Sequence, residues 1–176
     1  MRFVETPIAG AFIVEAEPVS DERGFFARVW CVDELRDAGL RNEVVQVSVS
    51  LNVRAGTLRG MHWQRAPHAE TKVVRCTRGA IFDVIVDVRP SSLSYRRWYG
   101  IELSEDYVRM LYIPEGVAHG FLTLTDDTEV LYQMSDSYVP TATRGVRWDD
   151  PAFAIEWPAP PLVMSERDRA FPDFDE

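Results

Sequence analysis

Lysine is almost missing from this sequence: Lys72 is the only one, and the rest of the 19 Lys plus Arg are arginines. Cysteine is nearly as scarce. Cys31 and Cys76 are the two present, with no CxxC or metal-ligand spacing, which excludes a disulfide framework and points to reduced thiols. No stretch reads as GxGxxG, a P-loop or a GxSxG elbow, so dinucleotide folds and serine hydrolases have nothing to rest on. Long apolar runs are absent too. In the opening "MRFVETPIAGAFIVEAEP", charges and a proline interrupt every few residues, too soon for a signal or membrane segment. A soluble, cytoplasmic protein with no membrane partner is expected. Positive charge is in deficit, with net charge −9 and pI about 4.9, so the overall field repels polyanions and argues against nucleic acid as a partner.

What the sequence does have is apolar side chain. Hydrophobic residues make up 46% and aromatics 11% of 176 residues, enough for one domain over residues 1–176 with its own core. Short apolar or alternating runs recur between turn residues: "AFIVEAEPV", "GFFARVW", "VVQVSVSL", "TKVVRCT", "AIFDVIVDV", "WYGIEL", "RMLYIP", "GFLTL", "TEVLYQMS" and "FAIEWP". Their β-branched and aromatic content predicts an all-β sandwich or barrel. "TKVVRCT" and "AIFDVIVDV", joined across Arg78 and Gly79, read as a hairpin. Helix is confined to "DELRDAG", with Asp33 as N-cap and Gly39 as stop, and to "SERD", where Ser165 and Asp168 have capping-box spacing. The proline-rich segment from about 157 to 176 reads as an irregular strap over the barrel.

The chemistry centres on residues 58–90, where His62 and Lys72 stand on what read as neighbouring strands with His68 and Glu70 between them. A metal site is one reading, with His68, Glu70 and His119 as a two-His-one-carboxylate set. Against it, "RAPHAE" reads as a loop and His62 is left without a role. Proton transfer is another, since an imidazole at a barrel mouth can act as a base. Composition alone does not make His62 catalytic. Arg23, Arg28, Arg54, Arg59, Arg65, Lys72, Arg75 and Arg78 fit either a pocket for a small anion or a solvated face. In "YIPEGVAHGF", Pro114, Gly116 and His119 have the P-x-G-x-x-H order of the second motif of cupin jelly-roll barrels. The first motif's HxH metal pair is replaced here by "GMHWQ", so no metal is expected.

The ordered blocks "DERGFFARVW", "GTLRGMHWQ", "KVVRCTRGAIFDVIVDVR", "IPEGVAHGF", "VLYQMSDSYVP", "WDDPAFAIEWP" and "MSERD" resemble the dTDP-4-dehydrorhamnose 3,5-epimerase family over nearly the whole chain. The resemblance implies a cupin-type jelly-roll β-barrel that needs no cofactor, forms a homodimer and acts on a nucleotide-diphospho-4-keto-6-deoxyhexose. It implies His62 as base, Asp168 as the carboxylate orienting it, Lys72 beside the C4 oxygen and Tyr132 as acid. Tyr138 corresponds to the aromatic that stacks on the nucleotide base, and Arg23, Gln46, Arg59 and His119 to ligand contacts. In the homodimer implied, the N-terminal strand of one subunit lines its neighbour's pocket.

Departures from the family pattern fall on ligand recognition. Ser48 stands for an asparagine, Arg28 and Thr143 for acidic residues, and Arg167 for a lysine. Epimerisation is therefore better supported than the nucleotide, which could be dTDP, CDP or GDP, or than the choice of C3, C5 or both. A metal-dependent cupin oxygenase or isomerase using His62, His68, Glu70 and His119 is the competing enzyme reading, and a sugar-nucleotide-binding cupin without catalysis is a third.

Overall fold

A computed structural model describes residues 1–175. In chain order the strands are β1 (Arg2–Glu5), β2 (Phe12–Glu15), β3 (Val19–Asp21) and β4 (Gly24–Phe26), then helix α1 (Val32–Asp37), β5 (Gln46–Asn52), β6 (Leu58–Gln64), β7 (Lys72–Arg78), β8 (Ala80–Asp87), β9 (Trp98–Ser104), β10 (Arg109–Ile113), β11 (Val117–Thr123), β12 (Thr128–Met134), β13 (Thr143–Gly145), and helix α2 (Glu166–Arg169). Two antiparallel sheets face each other, ordered β1-β2-β10-β7-β12-β5 and β13-β6-β11-β8-β9, and β3-β4 forms a separate ribbon. This is the cupin-type jelly roll the sequence led us to expect. No helix among the described residues is long and apolar enough to cross a membrane.

Alternation explains the layers. Val74 and Cys76 on β7, Ile81 and Ile85 on β8, Leu111 and Ile113 on β10, Phe121 on β11 and Val130 on β12 all point between the sheets into one core. Burying each large aliphatic contributes about 1.5–3 kcal/mol. The outer face of β7 and β10 is covered by the segment around α1, through Leu35, Val29 and Trp30 against Val73, Met110 and Tyr112. The outer side chains of β5 have no such cover: Val47, Val49 and Leu51 are exposed, while Gln46, Ser48 and Ser50 alternate inward to line a cavity.

The structure corrects four local expectations. β7 and β8 do not pair as a hairpin, since β7 lies between β10 and β12 while β8 lies between β11 and β9. Gly79, at φ +76°, turns the chain from one sheet to the other, a conformation glycine adopts without strain. For the same reason His62 and Lys72 are not on neighbouring strands but on opposite sheets. Asp33 is not the N-cap of α1: that position is Cys31, with no side-chain cap. "FAIEWP" is not a strand. Buried Asp150 takes the N–H groups of Ala152 and Phe174, folding the run into turns whose Phe153 packs on Phe174 at 5.0 Å. Gly39 does end α1 with positive φ, and Ser165 does cap α2 by accepting from the Asp168 N–H at 3.1 Å.

Candidate active site

The mouth of the barrel holds a cavity of about 640 Å³. Its walls come from β5 and β12 on one sheet, β6 and β11 on the other, and the C-terminal strap. His62, Lys72, Tyr132 and Asp168 all line it, as do Gln46, Ser48, Arg59, His119, Tyr138, Thr143 and Arg167. Residues scattered over more than a hundred positions therefore meet in one place, but Arg23 and Arg28 do not join them, Arg28 pairing instead with Glu34. Arg23 sits at the tip of the β3-β4 ribbon with its side chain 84% exposed and paired to Asp21, and it takes no part in this cavity.

His62 projects from β6, and its Nε2 lies 2.7 Å from Asp168 Oδ1 on α2. The other oxygen of Asp168 accepts from the Gly60 N–H at 3.4 Å. Gly60 passes so close to Gly120 on β11 that a side chain on either would strike the other strand, and the pairing of β6 with β11 shifts register there. His62 and His119 come out of this crossing as direct cross-strand neighbours. Phe171, on the strap, lies edge-on to the His62 ring at 5.7 Å. It fits because Gly145, opposite His62 on β13, has no side chain to fill its place. Burial pushes the Asp168 carboxyl up, but His62, the Gly60 N–H and Ser165 outweigh it and hold it below the usual carboxylate range. The carboxylate is thus charged, buried and aimed at the imidazole.

Tyr132 stands on the opposite wall, on β12. Burial raises its phenol well above the ordinary value, and the charge of Asp83 adds to this while a hydrogen bond with Ser50 opposes it. It is a protonated phenol at any physiological pH. Its ring meets His119 edge-on at 6.1 Å. Behind His119 is a residue that sequence reasoning does not reach: Asp83 on β8 is fully buried, with Oδ1 2.6 Å from His119 Nε2. Burial raises the Asp83 carboxyl despite that partner. An aspartate in the strand run "AIFDVIVDV" breaks the apolar pattern, and that break is its one sequence signal.

Lys72 is buried beside Glu70, whose carboxylate takes its ammonium. Desolvation lowers the lysine's pKa and Glu70 opposes the shift. On the rim, Gln46 accepts from the Tyr138 N–H at 3.0 Å and donates to Ser48 Oγ at 3.1 Å. Arg167 donates to the Tyr138 hydroxyl at 3.3 Å, and that contact lowers the Tyr138 pKa. Arg59 is held by Asn52 at 2.7 Å.

The three residues of the metal reading do not converge. His68 faces Asp136, Glu70 faces Lys72 and His119 faces Asp83, and among the described residues no three His, Cys, Asp or Glu side chains form a set that could hold an ion.

A jelly roll with a His–Asp pair in its mouth and a protonated tyrosine on the facing wall is a cupin barrel carrying the groups that acid–base chemistry uses. Its sequence places it more narrowly: residues 5–176 match the family model for dTDP-4-dehydrorhamnose 3,5-epimerase, and the chain belongs to that family of carbohydrate epimerases. It is 43% identical over 171 residues to the dTDP-4-dehydrorhamnose 3,5-epimerase of Methanothermobacter thermautotrophicus, covering 96% of this chain and 91% of that protein. It is 36% identical over 170 residues to the dTDP-4-dehydrorhamnose 3-epimerase of Streptomyces niveus, covering 96% and 82%. The crystal structure of the Bacillus anthracis 3,5-epimerase with TDP and pyrophosphate bound superposes with a TM-score of 0.94 at 39% identity, covering 98% and 99%.

Proposed function

We propose that the protein epimerises a dTDP-linked 4-keto-6-deoxyhexose, dTDP-4-dehydro-6-deoxyglucose to dTDP-4-dehydrorhamnose, by proton transfer through an enolate. The observation that carries the mechanism is the placement of His62 and Tyr132 on opposite sheets across one cavity. The C4 ketone acidifies the hydrogens on C3 and C5. His62, oriented by Asp168, takes one of them, and the electron pair left on carbon moves onto the C4 oxygen. Lys72 stabilises the charge on that oxygen. Tyr132 then returns a proton to the same carbon from the other face, inverting it, and water exchanges with His62 and Tyr132 to restore both. No electron leaves the substrate, so the cycle needs no redox cofactor.

Arg59 and Arg167 suit the diphosphate, because guanidinium groups donate paired hydrogen bonds to oxygens, and the half-exposed Tyr138 ring suits the base. The relatives include both a 3,5-epimerase and a 3-epimerase, and the chain is assigned both carbons. Its working place is the cytoplasm, where nucleotide sugars are made, consistent with its two unpaired cysteines.

The working unit is a homodimer. Two features support it: the exposed stripe Val45, Val47, Val49, Leu51 and Val53, and the β3-β4 ribbon, which projects Phe25 and Phe26 at 61% and 78% exposure with Arg23 at its tip. An unpaired edge of this kind invites a second chain. A symmetric partner laid on it would let Arg23 of one subunit complete the cavity of the other.

Incubation with dTDP-4-dehydro-6-deoxyglucose in D₂O, followed by NMR and mass spectrometry, tests the reaction, with CDP and GDP analogues in parallel. Label at C3 and C5 is the expected result. Label at C3 alone would make it a 3-epimerase, and no label with any of the three would overturn the reading.

A further inference from the structure

Lys72 is placed by a chain of contacts. Glu70, two residues earlier and itself 8% exposed, offers one carboxylate oxygen to the ammonium and the other to Gln64 Nε2 at 3.2 Å. The same Gln64 amide nitrogen donates to His68 O at 3.0 Å and Ser137 O at 3.1 Å, and its oxygen accepts from the Val139 N–H at 2.6 Å. Gln64 therefore ties the loop that carries Tyr138 to the carboxylate that holds Lys72. Both side chains are buried polar groups, and most buried polar groups are hydrogen-bonded, as these are.

We propose that Glu70, braced by Gln64, is a positioning residue for the reaction: it anchors the Lys72 ammonium in the cavity wall and keeps it available to the C4 oxygen. This rests on the epimerase reading and deepens it. An ammonium at 8% exposure with no partner gives up its proton, because burial disfavours the charged form. Glu70 is its ion-pair partner among the described residues and the one charged group that raises its pKa. The other ionisable side chains lining the cavity come from every element around it: Arg59 and His62 on β6, His119 on β11, Tyr132 on β12, Tyr138 on the following loop, and Arg167 and Asp168 on α2. None of them substitutes for Glu70. A single carboxylate thus opposes the burial that disfavours the charged form of Lys72.

The test uses the fact that Lys72 is the chain's only lysine. Untagged full-length protein made with ¹³C,¹⁵N-lysine gives one side-chain signal, whose titration needs no substrate. In Glu70→Gln the midpoint should fall by about one pH unit or more relative to the parent, and the alkaline limb of kcat should move with it while KM stays within about threefold. In a Lys72→Met background the same substitution should cause little further loss, since coupled residues are not additive. If Glu70→Gln does not fold, Glu70→Asp, which withdraws the carboxylate by one methylene, should also lower the midpoint. An unmoved midpoint, or an equal loss of kcat with and without Lys72, would overturn the proposal. Lack of turnover by the parent protein would instead overturn the epimerase reading and leave the titration result intact.

Discussion

His62 and Asp168 lie 106 positions apart in the chain and 2.7 Å apart in the fold. One comes from a barrel strand, the other from a single helical turn in the strap, and the proposed mechanism uses the two together as its base. Asp168→Asn keeps the shape and removes the charge, so kcat should fall by about 10²-fold or more while TDP binding by calorimetry stays close to the parent value. His62→Ala should abolish deuterium uptake at both carbons. Substantial uptake by that variant would mean another group is the base.

The same pair sets an acid limit. The folded Asp168 carboxyl is held below its ordinary value, so its contribution to stability is complete above the unfolded value of about 3.9 and disappears as the pH falls below it. Urea unfolding of parent and Asp168→Asn should show a stability difference at pH 7 that shrinks below about pH 4.

Tyr132→Phe removes the proposed acid and leaves the proposed base. Label from D₂O should still enter, with product inversion down by about 10²–10⁴-fold. A loss well under that range, measured by NMR of the product, would reduce Tyr132 to packing.

Gly145→Ala puts a methyl group into the space occupied by the Phe171 ring. Overpacking of this kind costs about 1–3 kcal/mol, and because Phe171 backs His62, both the melting temperature and kcat should fall. Unchanged activity with a lowered melting temperature would separate Phe171 from the chemistry.

Val49→Asp on the exposed stripe of β5 should yield a monomer by light scattering. On the proposed shared site KM should rise with it, and Arg23→Ala should raise KM without changing the oligomer. A monomer with the parent's KM would count against a shared site.

Strands were legible because alternation is local: "VVQVSVSL" shows its inward serines and outward valines without any knowledge of partners. What those strands pair with is not local. The turn at Arg78 and Gly79 carries the same signal whether it closes a hairpin or passes the chain to the facing sheet, and here it does the second. "FAIEWP" has strand composition, but a carboxylate twenty-odd residues from Phe174 gathers it into turns, a contact no window contains. In the site, the ordered blocks brought His62, Lys72, Tyr132 and Asp168 to one cavity, together with most of the ligand residues. Glu70 was visible only as a metal candidate, since its real partner depends on Lys72 being buried. Asp83, Gln64 and Phe171 matter through what stands behind the reacting groups, which chain spacing does not reveal. Arg23 is the opposite case, plain in the sequence and absent from the cavity's lining.

The strap has a consequence for synthesis. When the ribosome has made the last barrel strand, β13, the segment bearing Asp168 is still to come, so the nascent protein holds His62 before it holds the carboxylate that pairs with it. A nick or truncation that frees the strap takes Asp168 and Phe171 from His62 together, and on the proposed mechanism loss of turnover would then serve as a readout of chain integrity.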